Sequence, residues 1–116
     1  MPTPAKYNWK IWVGNTTPLD LRFLDANREP FDLTGSDMIL TIFQDGELIR
    51  KSSADGHWTI DDPANGRARV VLNPEETRKL LSEVSPTTYE IERHIAGEQT
   101  TLMHGRICVK GGQNHD

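Results

Sequence analysis

Apolar and polar side chains alternate with a period of two along much of this chain. Leu19, Leu21 and Phe23 fall on one side, with Asp20 and Arg22 on the other. Met38, Leu40 and Ile42 share a side. Trp58 and Ile60 oppose His57 and Thr59, and Ala68, Val70 and Leu72 oppose Arg67 and Arg69. Tyr89 and Ile91 oppose Glu90 and Glu92, and Ile107 and Val109 oppose Arg106 and Cys108. A period of two places each apolar set on one face of a pleated strand. Charge on the opposite side keeps that face wet, which favours antiparallel sheets.

Turn signals separate these segments. They are Ala26-Asn27-Arg28, Thr34-Gly35, Asp45-Gly46, Asp55-Gly56, Asn65-Gly66 and Ala96-Gly97. Glycines 35, 46, 56 and 66 are spaced by 11, 10 and 10 residues. Asp-Gly and Asn-Gly supply the positive φ angles that two-residue hairpins require. Short strands at this spacing predict a β sandwich or barrel.

One stretch departs from the period. Asn73-Pro74-Glu75-Glu76 reads as an N-cap, a proline at the first helical position and an acidic first turn. Leu80, Leu81 and Val84 follow as an apolar patch, and Pro86 closes it. The pattern predicts a short helix or helical turn over roughly 74–82, crossing between two sheets. The predicted core is Trp9, Ile11, Val13, Leu19, Leu21, Phe23, Leu33, Met38, Leu40, Ile42, Trp58, Ile60, Val70, Leu72, Leu80, Tyr89, Ile91, Ile107 and Val109. Residues 1–6 read as a frayed N-terminus, 7–110 as one domain and 111–116 as a flexible tail.

Composition adds exclusions. The chain has 116 residues, 35% apolar and 26% charged, with a net charge of −4. That is the size of one domain, with no clustered basic surface for nucleic acid. The longest apolar-leaning run, Met38 to Phe43, is far short of the ~18 residues a membrane span needs. No secretory leader is visible, and a single cysteine, Cys108, rules out an internal disulfide. The expected setting is a reducing cytoplasm, with neither nucleic acid nor membrane as a partner.

Catalytic chemistry finds little footing. His57, His94, His104 and His115 share no metal-ligand spacing with each other or with Cys108. His94 and His104 would face each other only across a hairpin turning near Gly97. Cys108 needs a base to act as a nucleophile, and alternation instead suggests a minor second apolar layer for it. Asp61-Asp62-Pro63-Ala64-Asn65-Gly66 has a superficial calcium-loop look, but Pro63 and Leu72 stand where oxygen ligands belong. It reads better as a hairpin opened by Asp62 and closed by Asn65-Gly66. Glu75 and Glu76 suit a helix dipole rather than an acid/base pair. No catalytic residue, metal ligand or cofactor site is predicted.

Four stretches carry a resemblance. Val13-Gly14-Asn15-Thr16 is similar to a small turn entering a second strand. Glu29-Pro30-Phe31-Asp32-Leu33-Thr34-Gly35 resembles a Pro-x-Asp-Leu-Thr-Gly signature leading into a strand over 36–43. Ile60 to Arg67 resembles a hairpin before a Val-rich strand. Leu72 to Leu80 resembles a short helix, followed by Tyr89-Glu90-Ile91 and a closing Gly105-Arg106-Ile107-Cys108-Val109. Over residues 9–110 the chain resembles the small immunoglobulin-like domains of bacteriophage tail and baseplate proteins, most nearly the N-terminal domains of baseplate upper proteins. Two features depart from that pattern: Pro86-Thr87-Thr88 stands where a glycine often precedes the tyrosine strand, and residues 111–116 do not read as the helical linker expected after such a domain.

The resemblance implies an all-β, immunoglobulin-like antiparallel sandwich with one short helix. It marks Pro30, Asp32, Leu33, Thr34, Gly35, Asn65, Gly66 and Tyr89 as structural signature residues. It also implies a non-enzymatic phage or prophage structural protein, placed in a tail or baseplate and held by other phage structural proteins or by copies of itself. Such a module would be gripped at strand edges, at Trp12, which alternation puts opposite Trp9, and at hairpin tips. The candidate contacts are therefore Trp12, Asp45, Gly46, Asp55 and His57. The competing expectation is a carbohydrate- or small-ligand-binding sandwich using Trp12 and Trp58 as a stacking platform.

Overall fold

A computed structural model describes residues 5–81 and 86–111. Two packed sheets form an all-β sandwich. The strands are β1 (Ala5–Lys6), β2 (Trp9–Trp12), β3 (Thr17–Arg22), β4 (Asp37–Gln44), β5 (Glu47–Ser52), β6 (Trp58–Asp62), β7 (Arg67–Leu72), β8 (Thr87–Ile95) and β9 (Glu98–Lys110). The larger sheet runs β1-β9-β8-β4-β5, with β2 also on β9, and the smaller one β3-β7-β6.

The pairing is antiparallel except at one edge. β1 and β2 run parallel to β9, from Ala5 opposite Met103 to Trp12 opposite Lys110. This corrects the purely antiparallel expectation, and it corrects the frayed reading of residues 5 and 6. Alternation within a segment says nothing about which distant strand it joins. Residues 1–4, 82–85 and 112–116 lie outside the described residues, and with them Val84, His115 and most of the expected tail.

The turns follow their local chemistry. Asp45 (φ 55°) and Gly46 (φ 116°) close the β4–β5 hairpin, and Ala96 (φ 52°) and Gly97 (φ 82°) close β8–β9. Between β6 and β7, Pro63–Asn65 make one 3-10 turn, Gly66 ends it at φ 71°, and Asn65 Nδ2 donates to Asp62 Oδ2 at 2.9 Å. Gly66 has a second constraint: a Cβ there would collide with the carbonyls of Phe23 and Phe31. The Asp55-Gly56 turn departs from the hairpin expectation, because it carries the chain from the larger sheet to the smaller one. In the signature stretch, Asp32 Oδ1 accepts from Thr34 N (2.9 Å) and Oγ1 (2.6 Å), while Leu33 is buried and donates its N–H to Pro63 O.

The helix is shorter than predicted. α1 spans Pro74–Arg78, and Asn73 and Glu76 form a reciprocal capping box at 2.8 and 2.9 Å. Leu80 is buried beyond it, but Leu81 is exposed. Thr77, also buried, accepts from Gly14 N and donates to Asn15 O, tying α1 to the turn after β2.

The core holds most of the predicted set. Val13, Leu19, Leu21, Ile60 and Val109 are only partly buried against it, while Ile49, Ala68 and Leu102 join it. Ile39 and Thr41, on the opposite face of β4 from Met38, Leu40 and Ile42, are buried as well, so that face is not wet along this strand. β5 was not legible as a strand because Lys51 stands at a core-facing position, beside Leu40. Its Nζ donates to Val71 O and to Glu76 Oε1, the latter at 2.7 Å. Burial opposes the charge on Glu76, but the hydrogen bonds from Lys51 and Asn73 and the Lys51 charge outweigh it. They hold the carboxyl below its ordinary range.

Leu40→Asp buries an unpaired charge in the centre of the sandwich and abolishes the folded near-ultraviolet circular-dichroism signal, whereas Arg69→Asp, which only turns the exposed Asp20–Arg69 pair into a like-charged one, keeps the fold and costs at most about 1 kcal/mol. Lys51→Met and Glu76→Gln each cost about 1–3 kcal/mol at neutral pH, and the double variant costs less than their sum, as denaturant titration will read. Because the folded Glu76 carboxyl titrates below the ordinary 4.5, its contribution is full above that pH and lost progressively below it, as the pH falls through the lower folded value. The wild-type melting temperature therefore drops more steeply below about pH 4.5 than that of Glu76→Gln.

Candidate functional site: an apolar groove at the open edge

The two sheets part along one side of the sandwich. There β3 ends the smaller sheet, and β1 and β2 end the larger one. Between them lies a groove of about 650 Å³, floored by Leu19, Leu21 and Met103 and rimmed by Tyr7, Leu24 and Asp20. Tyr7 is 64% exposed and Leu24 44%, so two large apolar side chains flank the opening. Exposed apolar surface concentrated at one place marks a contact surface more often than scattered residues do.

The far wall depends on how the N-terminal segment is seated. Ala5 through Trp12 keep one continuous register along β9, which sets Tyr7 beside Gly105. Tyr7 N donates to His104 O at 2.9 Å, and the Tyr89 hydroxyl donates to Tyr7 O. Asn8 Oδ1 accepts the Arg106 N–H at 3.0 Å, in place of a backbone ladder bond. Trp9 then stacks on Tyr89 with ring centroids 3.5 Å apart and planes 9° from parallel. A Cβ on Gly105 would overlap the Tyr7 carbonyl, so only glycine allows this approach. Burial, with a smaller effect from Tyr7, pushes the Tyr89 phenol up to about 12, so it stays a hydrogen-bond donor.

The near wall is held by local polar chemistry. Asp25 Oδ1 accepts from Asn27 N (2.8 Å) and Glu29 N (2.9 Å), which shapes the loop after Leu24. Leu24 bridges to Pro30, and Phe31 donates its N–H to Phe23 O. Arg93 reaches Ser36 Oγ at 2.7 Å and lies over the Phe31 ring, 4.7 Å from its centre.

The contact residues expected from the sequence do not line this groove. Trp12 is 52% exposed at the end of β2, beside Gly111. Asp45 and Gly46 are exposed at the tip of the β4–β5 hairpin, which the register places at the same end of the larger sheet as Trp12. Asp55 and His57 are exposed at the other end, where His57 Nδ1 accepts the Ser52 N–H at 3.2 Å. Nearby, burial opposes the charge on Asp37, but hydrogen bonds from Ser53 Oγ, Ala54 N and Ser52 Oγ keep its carboxyl below the usual range. The five candidates thus fall into two groups rather than one surface. Tyr7 and Leu24 were missed because neither shows alternation with its neighbours. A tyrosine two residues before the Trp9-Ile11 alternation is the one signal the sequence offers.

Other expectations are corrected. Trp58 is buried, its indole N–H bound to Lys51 O at 2.9 Å, so it forms no stacking platform with Trp12. His94 stands opposite Gln99 and His104 opposite Glu90, so the two imidazoles do not face each other. Cys108 is exposed rather than set in a second apolar layer. Among the described residues, no three His, Cys, Asp or Glu side chains gather in a metal-holding arrangement. No helix among them is long and apolar enough to cross a membrane. In comparison with known proteins, no family model matches the chain, and no curated protein matches it significantly.

Gly105→Ala is expected to disturb the N-terminal wall selectively. The variant should melt lower than wild type by the equivalent of about 2 kcal/mol or more, since the obstacle is backbone rather than a flexible side chain. Tyr89→Phe, which only removes the hydroxyl, should cost about 1 kcal/mol. Amide exchange at residues 5–12 should accelerate in both.

Proposed function

We propose that this chain is a non-enzymatic assembly module of the phage or prophage tail or baseplate type, working through protein contacts at its open sandwich edge. The observation that carries the reading is the groove itself: an apolar floor between two sheet edges, flanked by exposed Tyr7 and Leu24. A protein segment laid there would bury apolar area and meet unpaired backbone groups, the combination that strand-mediated contacts use. The signature around Asp32-Leu33-Thr34-Gly35 supports the tail and baseplate assignment through its resemblance to immunoglobulin-like domains of those proteins. Trp12 and the Asp45-Gly46 tip offer a second contact region at one end.

The test is composition of particles. Virions or induced prophage particles from the source bacterium should contain the chain by mass spectrometry after density-gradient purification. Leu24→Asp, an exposed substitution at the groove rim, should leave the isolated protein folded and lower its incorporation several-fold. Repeated absence of the chain from purified particles would defeat the reading.

A further inference from the structure

The open edge has a charge pattern that selects a partner. β3 closes the smaller sheet, and among the described residues no strand pairs with its outer side. Phe23 donates its N–H to Gly66 O, 2.8 Å away on the β7 side. By alternation, the peptide groups of Leu19 and Leu21 also point to β7, and those of Asp20 and Arg22 point to the open side. Any added strand must bond through Asp20 and Arg22.

Their side chains are not neutral to what arrives. On the exposed face Arg22 stands directly opposite Arg67, and Asp20 opposite Arg69. Asp20 Oδ1 lies 3.7 Å from Arg69 Nε, with both side chains substantially exposed. Arg22 forms no ion pair among the described residues. A like-charged pair across a ladder is destabilising, and the pairs without mutual hydrogen bonds, such as this one, bring side chains closest. The edge therefore presents an unpaired cation next to an exposed carboxylate, two positions apart on one strand.

We propose that the occupant of this edge is β3 of a second copy, running antiparallel about a two-fold axis through Leu21. This register sets Asp20 of each copy opposite Arg22 of the other, which gives both arginines a carboxylate neighbour. It sets Leu21 against Leu21 and Leu19 against Phe23 on the inner face. The neighbouring registers fail on charge. An axis through Asp20 opposes two aspartates, one through Arg22 opposes two arginines, and one through Leu19 leaves Asp20 facing Pro18. A one-residue slip would turn the leucines outward. Pro18, which lacks an N–H, falls opposite Leu24 outside the central pairs, where it forgoes only a terminal ladder bond. The pairing is isologous, so it consumes both edges and stops at two copies. It also covers Leu24, the 44% exposed side chain at the groove rim.

The pairing stands on strand geometry and not on the virion reading; a chain present in particles yet monomeric in solution would separate the two. Sedimentation velocity over a concentration series provides the test, with circular dichroism to verify folding. Wild type should be a dimer. Asp20→Arg and Arg22→Asp should each weaken the dimer roughly tenfold or more, since each creates two like-charged pairs. The double swap D20R/R22D should restore it, because the opposed signs return in the same register. A wild-type monomer at the highest soluble concentration overturns the proposal. So does a dimer that is indifferent to the single variants, or one that the double swap does not rescue.

Discussion

The seating of the N-terminal segment beside β9 is the constraint on which the open edge depends. Tyr7 can lie against β9 only because residue 105 has no side chain. Once it does, the Tyr89 hydroxyl holds its carbonyl and Trp9 stacks on the Tyr89 ring. These contacts join β9, β8 and the first strands into one wall. That wall fixes how far the larger sheet extends, and therefore where it stops short of β3. The groove is what remains between a sheet that ends at its N-terminal strands and one that ends at β3.

The opposite side of the sandwich is sealed by different physics. Lys51 occupies a core-facing position, where an unpaired ammonium would be costly. Its partner, Glu76, comes from the first turn of α1 and is already engaged in the helix cap. The charge pair thereby links β5 to the segment that leaves β7, and Trp58 adds a bond from β6 to the Lys51 carbonyl. One side is thus closed by directed polar contacts, while the other is left apolar and open. This asymmetry confines the apolar opening to one side of the sandwich.

The open side also has limits on what it accepts. Pro18 removes a donor near one end of β3, and Asp20 and Arg22 charge its middle. Such features usually keep edges from indiscriminate pairing. Here the opposite signs two residues apart make the edge complementary to itself, so exclusion of other strands and acceptance of its own kind arise from the same residues.

Much of this was written locally in the chain. The two-residue alternation at Leu19-Leu21-Phe23 and Ala68-Val70-Leu72, the Asp-Gly and Asn-Gly turns, and the Asn73-Pro74 helix start each depend on neighbours a few residues away, so they were legible without coordinates. β5 was not, because its buried lysine is tolerable only when Glu76, 25 residues later, is brought to it. Nor was the groove, because Tyr7 and Leu24 carry no periodic signal. Local pattern alone was enough for most of the strands, most of the turns and most of the core. The parallel docking on β9, the Lys51–Glu76 pair and the open edge exist only in the folded chain, because each requires residues far apart in the sequence to meet in space.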